Sequence, residues 1–142
     1  MSREIETFRG VAHPWLCDVF EHLNTRHQMA MFDDAGFHLL HAIGPDAATL
    51  KAERRGWADV RLEVDLAQEV PKGALVVVRS QVVKLGRSSV THHHAMHGLD
   101  DDRLHSRLQV VTVFFDLEAR KATALPELVR QKTAALFGTE GG

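Results

Sequence analysis

Apolar side chains recur at three- and four-residue steps through Met29, Phe32, Gly36, Leu39, Leu40 and Ile43. A helix turns about 100° per residue, so these positions fall on one face, and the spacing predicts an α-helix over Thr25–Ile43 with that face buried. Asn24 stands where an N-cap belongs, its side-chain oxygen able to accept a first-turn N–H. Gly44-Pro45 ends the run, because proline cannot continue a helix. Nineteen residues at 1.5 Å each give roughly 28 Å of helix. Gly36, inside the apolar stripe, is expected to let this helix approach another element closely.

The rest of the pattern changes period. In Trp57–Leu66 the even positions Ala58, Val60, Leu62, Val64 and Leu66 are apolar, whereas Asp59, Arg61, Glu63 and Asp65 are charged. Period two predicts a strand with one buried face. Ala74–Leu85 is valine-rich and more continuous, as suits a central strand. Gly86-Arg87-Ser88 reads as a turn, Ser89–His97 as a third strand and Leu104–Leu117 as a fourth. Gly98-Leu99-Asp100-Asp101-Asp102 forms the hairpin connection between those two. A short strand, Glu4–Val11, precedes the helix. A last short helix begins near Pro126, suited to a first helical position, and ends at Gly138. One long helix segregated from a run of hairpin-linked strands predicts an α+β fold, an antiparallel sheet of about five strands curled around the helix.

The chain of 142 residues, 44% hydrophobic and 25% charged, has globular composition and the length of a single domain spanning residues 1–142. Seventeen basic and nineteen acidic side chains leave a net charge of −2, which argues against a broad nucleic-acid-binding face. A local patch for a small anion is not excluded by net charge. Cys17 is the one cysteine, so there is no internal disulfide, and a reducing compartment fits best. The N-terminus lacks the apolar core of a signal peptide, and no apolar run approaches the ~20 residues needed to cross a bilayer. The expectation is a cytoplasmic protein with no nucleic-acid or membrane partner.

Chemistry concentrates between the first strand and the helix. Asp18, His22 and Asn24 stand at D-x-x-x-H-x-N spacing and run directly into the helix start. Helix N-termini carry unpaired N–H groups and partial positive charge, which can polarise a carbonyl and hold an oxyanion. A carboxylate just upstream can attack that carbonyl or activate a water. On spacing alone, Asp18 and Asn24 serve equally well to turn the loop and cap the helix.

The order of elements and the motif together resemble the hotdog-fold acyl-CoA thioesterases, in the branch similar to 4-hydroxybenzoyl-CoA thioesterase. That family places an Asp before a small loop, often Gly-His-Val-Asn, and then its long helix. Asp18, His22, Leu23 and Asn24 match in position, while Glu21 stands where the family prefers Gly. The resemblance continues through Met31-Phe32-Asp33-Asp34-Ala35, through Leu85-Gly86-Arg87-Ser88-Ser89-Val90, and through Arg120-Lys121 followed by Leu125-Pro126.

The resemblance implies thioester hydrolysis, with Asp18 as nucleophile or general base and the carbonyl polarised by backbone N–H near Thr25. His22 and Asn24 would orient the loop and helix start. It implies a homodimer or homotetramer with sheets joined edge to edge and active sites at the dimer interface. Arg87, Ser88, Ser89, Arg120 and Lys121 would meet the nucleotide of an acyl-CoA substrate, since phosphates need such donors. No cofactor is required beyond the CoA carried by the substrate. Glu21 is a departure, because Gly at that position would permit a positive φ or close substrate approach.

Two other functions of the fold remain open at this level: a hydratase or dehydratase acting on acyl thioesters, and a non-catalytic acyl-CoA-binding module. Asp33 lies at the edge of the apolar stripe and is a rival carboxylate; Asp34 points away from it. In Thr91–His97, His92 and His94 share one strand face and His93 and His97 the other. A polar lining for the acyl pocket suits one of these faces better than a metal site, which lacks an evident third ligand, and no metal is expected.

Overall fold

The computed structural model describes residues 3–138. In chain order the elements are β1 (Ile5–Val11), α1 (Thr25–Ile43), α2 (Ala47–Glu53), β2 (Arg55–Leu66), β3 (Leu75–Leu85), β4 (Ser89–Gly98), β5 (Leu104–Asp116), β6 (Lys121–Ala122) and α3 (Glu127–Phe137). A single turn of 3-10 helix, Pro14–Leu16, follows β1. The strands form one antiparallel sheet in the order β1-β3-β4-β5-β2, with β6 paired to the end of β5. The α+β architecture of an antiparallel sheet around one long helix is the one expected from the chain's pattern.

Helix α1 has the expected bounds. Asn24 caps it by accepting the Arg26 N–H at 2.9 Å. The buried face is Gln28, Met31, Phe32, Ala35, Leu39, Leu40 and Ile43, packed on β1, β3 and β4. The apolar core falls into two parts. One gathers Met31, Phe32 and Ala35 with Val76, Val78 and Met96; the other gathers Leu39 and Ile43 with Val82, Val90 and the α3 residues Val129 and Phe137.

Four expectations need correction. Gly36 is not a close-approach point: a Cβ there would meet nothing within 4 Å, because this side of α1 faces an open cleft. The strand Trp57–Leu66 begins earlier, at Arg55, and its even positions do not form one buried face. A β-bulge between Asp59 and Arg61 changes the phase of the strand. Ahead of it Trp57 and Asp59 point to the helix side; beyond it Leu62 does. Moreover β2 is the sheet edge and α1 does not cover it, so Val60, Leu62 and Leu66 are 60, 51 and 56% exposed. Pro126 is the N-cap of α3 rather than its first helical residue, whereas Gly138 does end the helix at φ 70°. Helix α2 and strand β6 have no counterpart in the predicted elements; each is too short for periodicity to register.

Candidate active site

The segment Cys17–Leu23 is a tight antiparallel loop. Cys17 bridges Leu23 across its neck, the Asp18 N–H donates to the His22 carbonyl at 3.0 Å, and the Glu21 N–H donates back to the Asp18 carbonyl at 3.0 Å. Asp18 Oδ1 accepts the Phe20 N–H at 2.9 Å, an Asx-type turn of the kind short carboxylates favour. Closing so small a loop puts Glu21 at φ 65°, in the left-handed region. This is the position where the resembling family prefers Gly, and the structure supplies the reason: the loop demands a positive φ. Glu21 occupies it while its carboxylate accepts from Lys72 Nζ at 2.9 Å and its carbonyl accepts the Lys72 N–H at 3.2 Å. That ion pair holds the Glu21 carboxyl below the usual carboxylate range and the Lys72 ammonium above its own.

The four expected residues of this segment take different positions. Asp18, His22 and Thr25 line one polar pocket of about 250 Å³, together with Gln28 of α1 and the Leu66–Glu69 stretch after β2. His22 turns its Nε2 to Glu69, 3.1 Å away. Asn24 is engaged in capping α1. Thr25 opens the helix, where a backbone N–H has no intrahelical acceptor. The pocket therefore sets a carboxylate beside a helix N-terminus. Gln28, which sequence reasoning passed over, is buried here; it accepts from the Ser106 hydroxyl at 3.0 Å and lies 3.5 Å from the Leu23 carbonyl it donates to. Its signal was a polar residue one turn before Phe32 on the buried face.

Farther along α1 and β2 lies an apolar cleft of about 850 Å³. Met29, Phe37, Leu40, Trp57 and Leu62 supply its walls, and Arg26, Asp33, His41, Asp59 and His92 its charged and polar groups. Desolvation raises the Asp33 carboxyl above the usual range, and the charges of Asp59 and Asp34 raise it further. His92 meets the cleft with a buried ring, and His94 is not among its lining residues. Both are fully buried, and loss of solvent pushes their pKa values down to about 4 and about 3. His93 and His97 lie on the opposite face of β4, half-buried. Among the described residues no three His, Cys, Asp or Glu side chains converge as a metal site would require.

The expected nucleotide-binding residues lie elsewhere. The Phe114 N–H donates to the Ser88 carbonyl and the Leu125 N–H to the Arg87 carbonyl, so Arg87, Ser88 and Ser89 meet the Arg120–Lys121 segment at one end of the sheet. Arg87, Arg120 and Lys121 are exposed there, with the Arg120 guanidinium 5.3 Å from the centre of the Phe115 ring. Asp18 is at the other end. Lys121 pairs with Asp116, which faces Arg55 at the start of β2, whereas the Asp18 pocket abuts Leu66 at its finish. Eleven residue steps of strand separate the two ends by roughly 36 Å. Within one protomer the carboxylate and the basic group do not meet.

The sequence of residues 12–133 matches the family model of the thioesterase-like superfamily. No curated protein matches the chain in sequence. Among solved structures, the Staphylococcus aureus protein SAV2348, in complex with CoA, superposes with a TM-score of 0.87 at 12% identity, covering 100% of this chain and 87% of its own. The 1,4-dihydroxy-2-naphthoyl-CoA thioesterase Slr0204 from Synechocystis gives 0.80 at 13% identity over 96% and 98%. YbaW, a probable thioesterase from Escherichia coli, gives 0.77 at 15% identity over 94% and 98%. These likenesses establish a common hotdog fold, and with the family match extending from the end of β1 into α3, the chain belongs to the thioesterase-like superfamily.

Proposed function

We propose that the chain is an acyl-CoA thioesterase, releasing CoA and a carboxylic acid. The observation that carries this reading is the shared pocket of Asp18 and Thr25, a carboxylate beside a free helix N-terminus. A thioester carbonyl set at the Thr25 N–H is polarised by that donor and by the helix dipole. Asp18 then acts in one of two ways. As general base it takes a proton from water while the oxygen adds to the carbonyl carbon. As nucleophile it adds directly, forming an anhydride that water later opens. In both, the tetrahedral oxyanion faces the helix start, the C–S bond breaks, and the thiolate leaves and takes up a proton. His22, tied to Glu69, and Asn24, capping α1, hold the walls of this pocket in place.

The same geometry supports an assembly through β2. Strand β2 is an uncovered edge with exposed apolar side chains, a surface that a stable protein covers. Antiparallel pairing of β2 with its copy joins two sheets in a homodimer, which in turn can pair into a tetramer. It also sets the Arg55 end of one β2 against the Leu66 end of the other. The partner's copies of Arg87, Ser88, Ser89, Arg120 and Lys121 are thereby carried toward Asp18, supplying donors for the CoA phosphates at the interface. The CoA complex of the SAV2348 protein supports a nucleotide-bearing substrate. No helix of the described residues is long and apolar enough to cross a membrane; we propose a cytoplasmic setting and no cofactor beyond the substrate's own CoA.

A thiol-release assay against a panel of acyl-CoA esters tests the function. Free CoA appears if the chain is a thioesterase. Binding without release identifies a non-catalytic acyl-CoA module, and hydration of an enoyl thioester with the C–S bond intact identifies a hydratase.

A further inference from the structure

Six polar side chains form a chain of hydrogen bonds through the core of the sheet. Thr7 Oγ1 meets Ser80 Oγ at 2.7 Å, and Ser80 Oγ meets His94 Nδ1. His94 Nε2 meets His92 Nδ1 at 2.7 Å, His92 Nε2 meets Thr112 Oγ1 at 2.7 Å, and Thr112 Oγ1 donates to Asp59 Oδ1 at 2.7 Å. Thr7, Ser80, His94, His92 and Thr112 are all buried. Asp59 and His92 of this chain reach the cleft, and of the two only Asp59 is exposed there.

The protons of this chain have one consistent arrangement. A carboxylate only accepts, so the single hydroxyl proton of Thr112 goes to Asp59. Thr112 Oγ1 must then accept from His92 Nε2–H. Burial keeps His92 neutral, so its Nδ1 carries no proton and accepts from His94 Nε2–H. His94 is neutral for the same reason, and its Nδ1 accepts from the Ser80 hydroxyl. Ser80 has spent its proton, so the Thr7 hydroxyl, which also lies 3.3 Å from the Val78 carbonyl, turns its proton to the nearer Ser80 Oγ. Every donor points toward Asp59. The chain ends in the core at Thr7, so it carries no proton to solvent; it holds one carboxylate in one orientation.

The backbone supports the same orientation. Asp59 stands ahead of the bulge, in phase with Trp57 on the helix side of β2, and the phase change behind it places Leu62 rather than Arg61 or Glu63 on that side. Bulges occur where a side chain is re-aimed beside a site. A large apolar cleft with a few placed polar groups is the usual form of a small-molecule site, and here Asp59 is the one oriented by a hydrogen-bonded chain. The cleft and the Asp18 pocket are lined by neighbouring residues, Arg26 and Met29 beside Thr25 and Gln28 on α1 and Leu62 ahead of Leu66 on β2, and Asp33, the neighbour of Asp59 across the cleft, lies eight residues or roughly 12 Å beyond Thr25 along α1.

We infer that this cleft holds the acyl group and that Asp59 selects chains bearing a hydrogen-bond donor, a hydroxyl or an ammonium, at the far end of a medium-length chain. The inference rests on the acyl-thioester reading of the Asp18 pocket. Thr112 and His92 are positioning residues that act through Asp59.

Calorimetric titration with non-hydrolysable thioethers of CoA tests it: decanoyl, ω-hydroxydecanoyl and ω-aminodecanoyl. The wild-type protein should bind at least one donor-bearing chain tenfold or more tighter than the plain chain. Asp59→Val should abolish that preference, read as the ratio of donor-bearing to plain-chain affinity in the same variant. Thr112→Val should reduce the preference several-fold, and Thr112→Ser should restore it, which a general loss of packing would not do. Equal wild-type affinity for all three chains, no binding of any, or an undiminished preference in Asp59→Val overturns the inference. Because the probes are not hydrolysed, a preference that survives in a protein releasing no CoA from the matching thioesters would refute the hydrolase reading and leave this one standing.

Discussion

Glu21, at φ 65°, is held in the left-handed region by Lys72, which meets it with both its side chain and its backbone N–H. Left-handed backbone brings Cβ close to the following carbonyl oxygen, a clash glycine avoids and β-branched residues feel most. Glu21→Gly therefore removes the clash while losing an exposed ion pair, and should keep the fold and the Asp18 loop. Glu21→Val keeps the clash, adds branching and loses the pair. We expect Glu21→Val to melt at least about 4 °C below Glu21→Gly by circular dichroism. Equal melting points would show that the loop relaxes without resistance.

Asp18→Asn preserves size and the acceptor for the Phe20 N–H but removes the anion. A positioned base contributes roughly 10²–10⁴-fold to rate, and a nucleophile can contribute more. On the best acyl-CoA substrate kcat should fall at least about a hundredfold, with the fold retained. Asp33→Asn should cost much less. A dead Asp33 variant beside an active Asp18 variant would move the reacting carboxylate onto α1.

The edge strand predicts the state of assembly. Light scattering at micromolar concentration should give a dimer or a tetramer. Val60→Lys, on the β2 edge and outside the cleft lining, places a charge where two β2 edges would meet and should shift the protein toward monomer, with loss of hydrolysis even though Asp18 is untouched. A monomer that hydrolyses acyl-CoA at the wild-type rate would refute the shared site.

Replacing Arg120 and Lys121 together by Ala should raise KM for acyl-CoA about tenfold or more, if their cations meet phosphate. A truncated thioester without the nucleotide should be affected much less. Equal losses on both substrates would assign the two residues to folding.

The buried histidines predict an acid limit. Their folded pKa values, about 4 for His92 and about 3 for His94, lie below the unfolded value of 6.5. The unfolded chain therefore binds more protons below pH 6.5, and stability rises with pH up to that value and then levels. Between pH 7 and pH 5, above the range where most carboxylates titrate, urea unfolding should show a loss on the order of 3 kcal/mol. A stability that stays flat to pH 5 would mean the two rings are hydrated.

The one-dimensional pattern determined most of the fold. The stripe from Phe32 to Ile43, the Asn24 cap and the Gly44-Pro45 stop bounded α1, because a helix start and stop are local matters of backbone donors and acceptors. Asp18, Asn24 and the helix start were legible for the same reason: they are neighbours in the chain. What lay between strands was not. The bulge after Asp59 does not interrupt the alternation of apolar and charged letters, yet it brings Asp59 and Leu62 to the same side of β2. Ser80, His92, His94 and Thr112 read as separate polar residues until the sheet stacked β3, β4 and β5 and joined them in one hydrogen-bonded chain. The separation of Asp18 from Arg120 and Lys121 by the length of β2 likewise depends on which strand takes the edge. Local chemistry sets caps, turns and periods; strand order and register are settled by contacts between residues distant in sequence, and only the tertiary structure contains those.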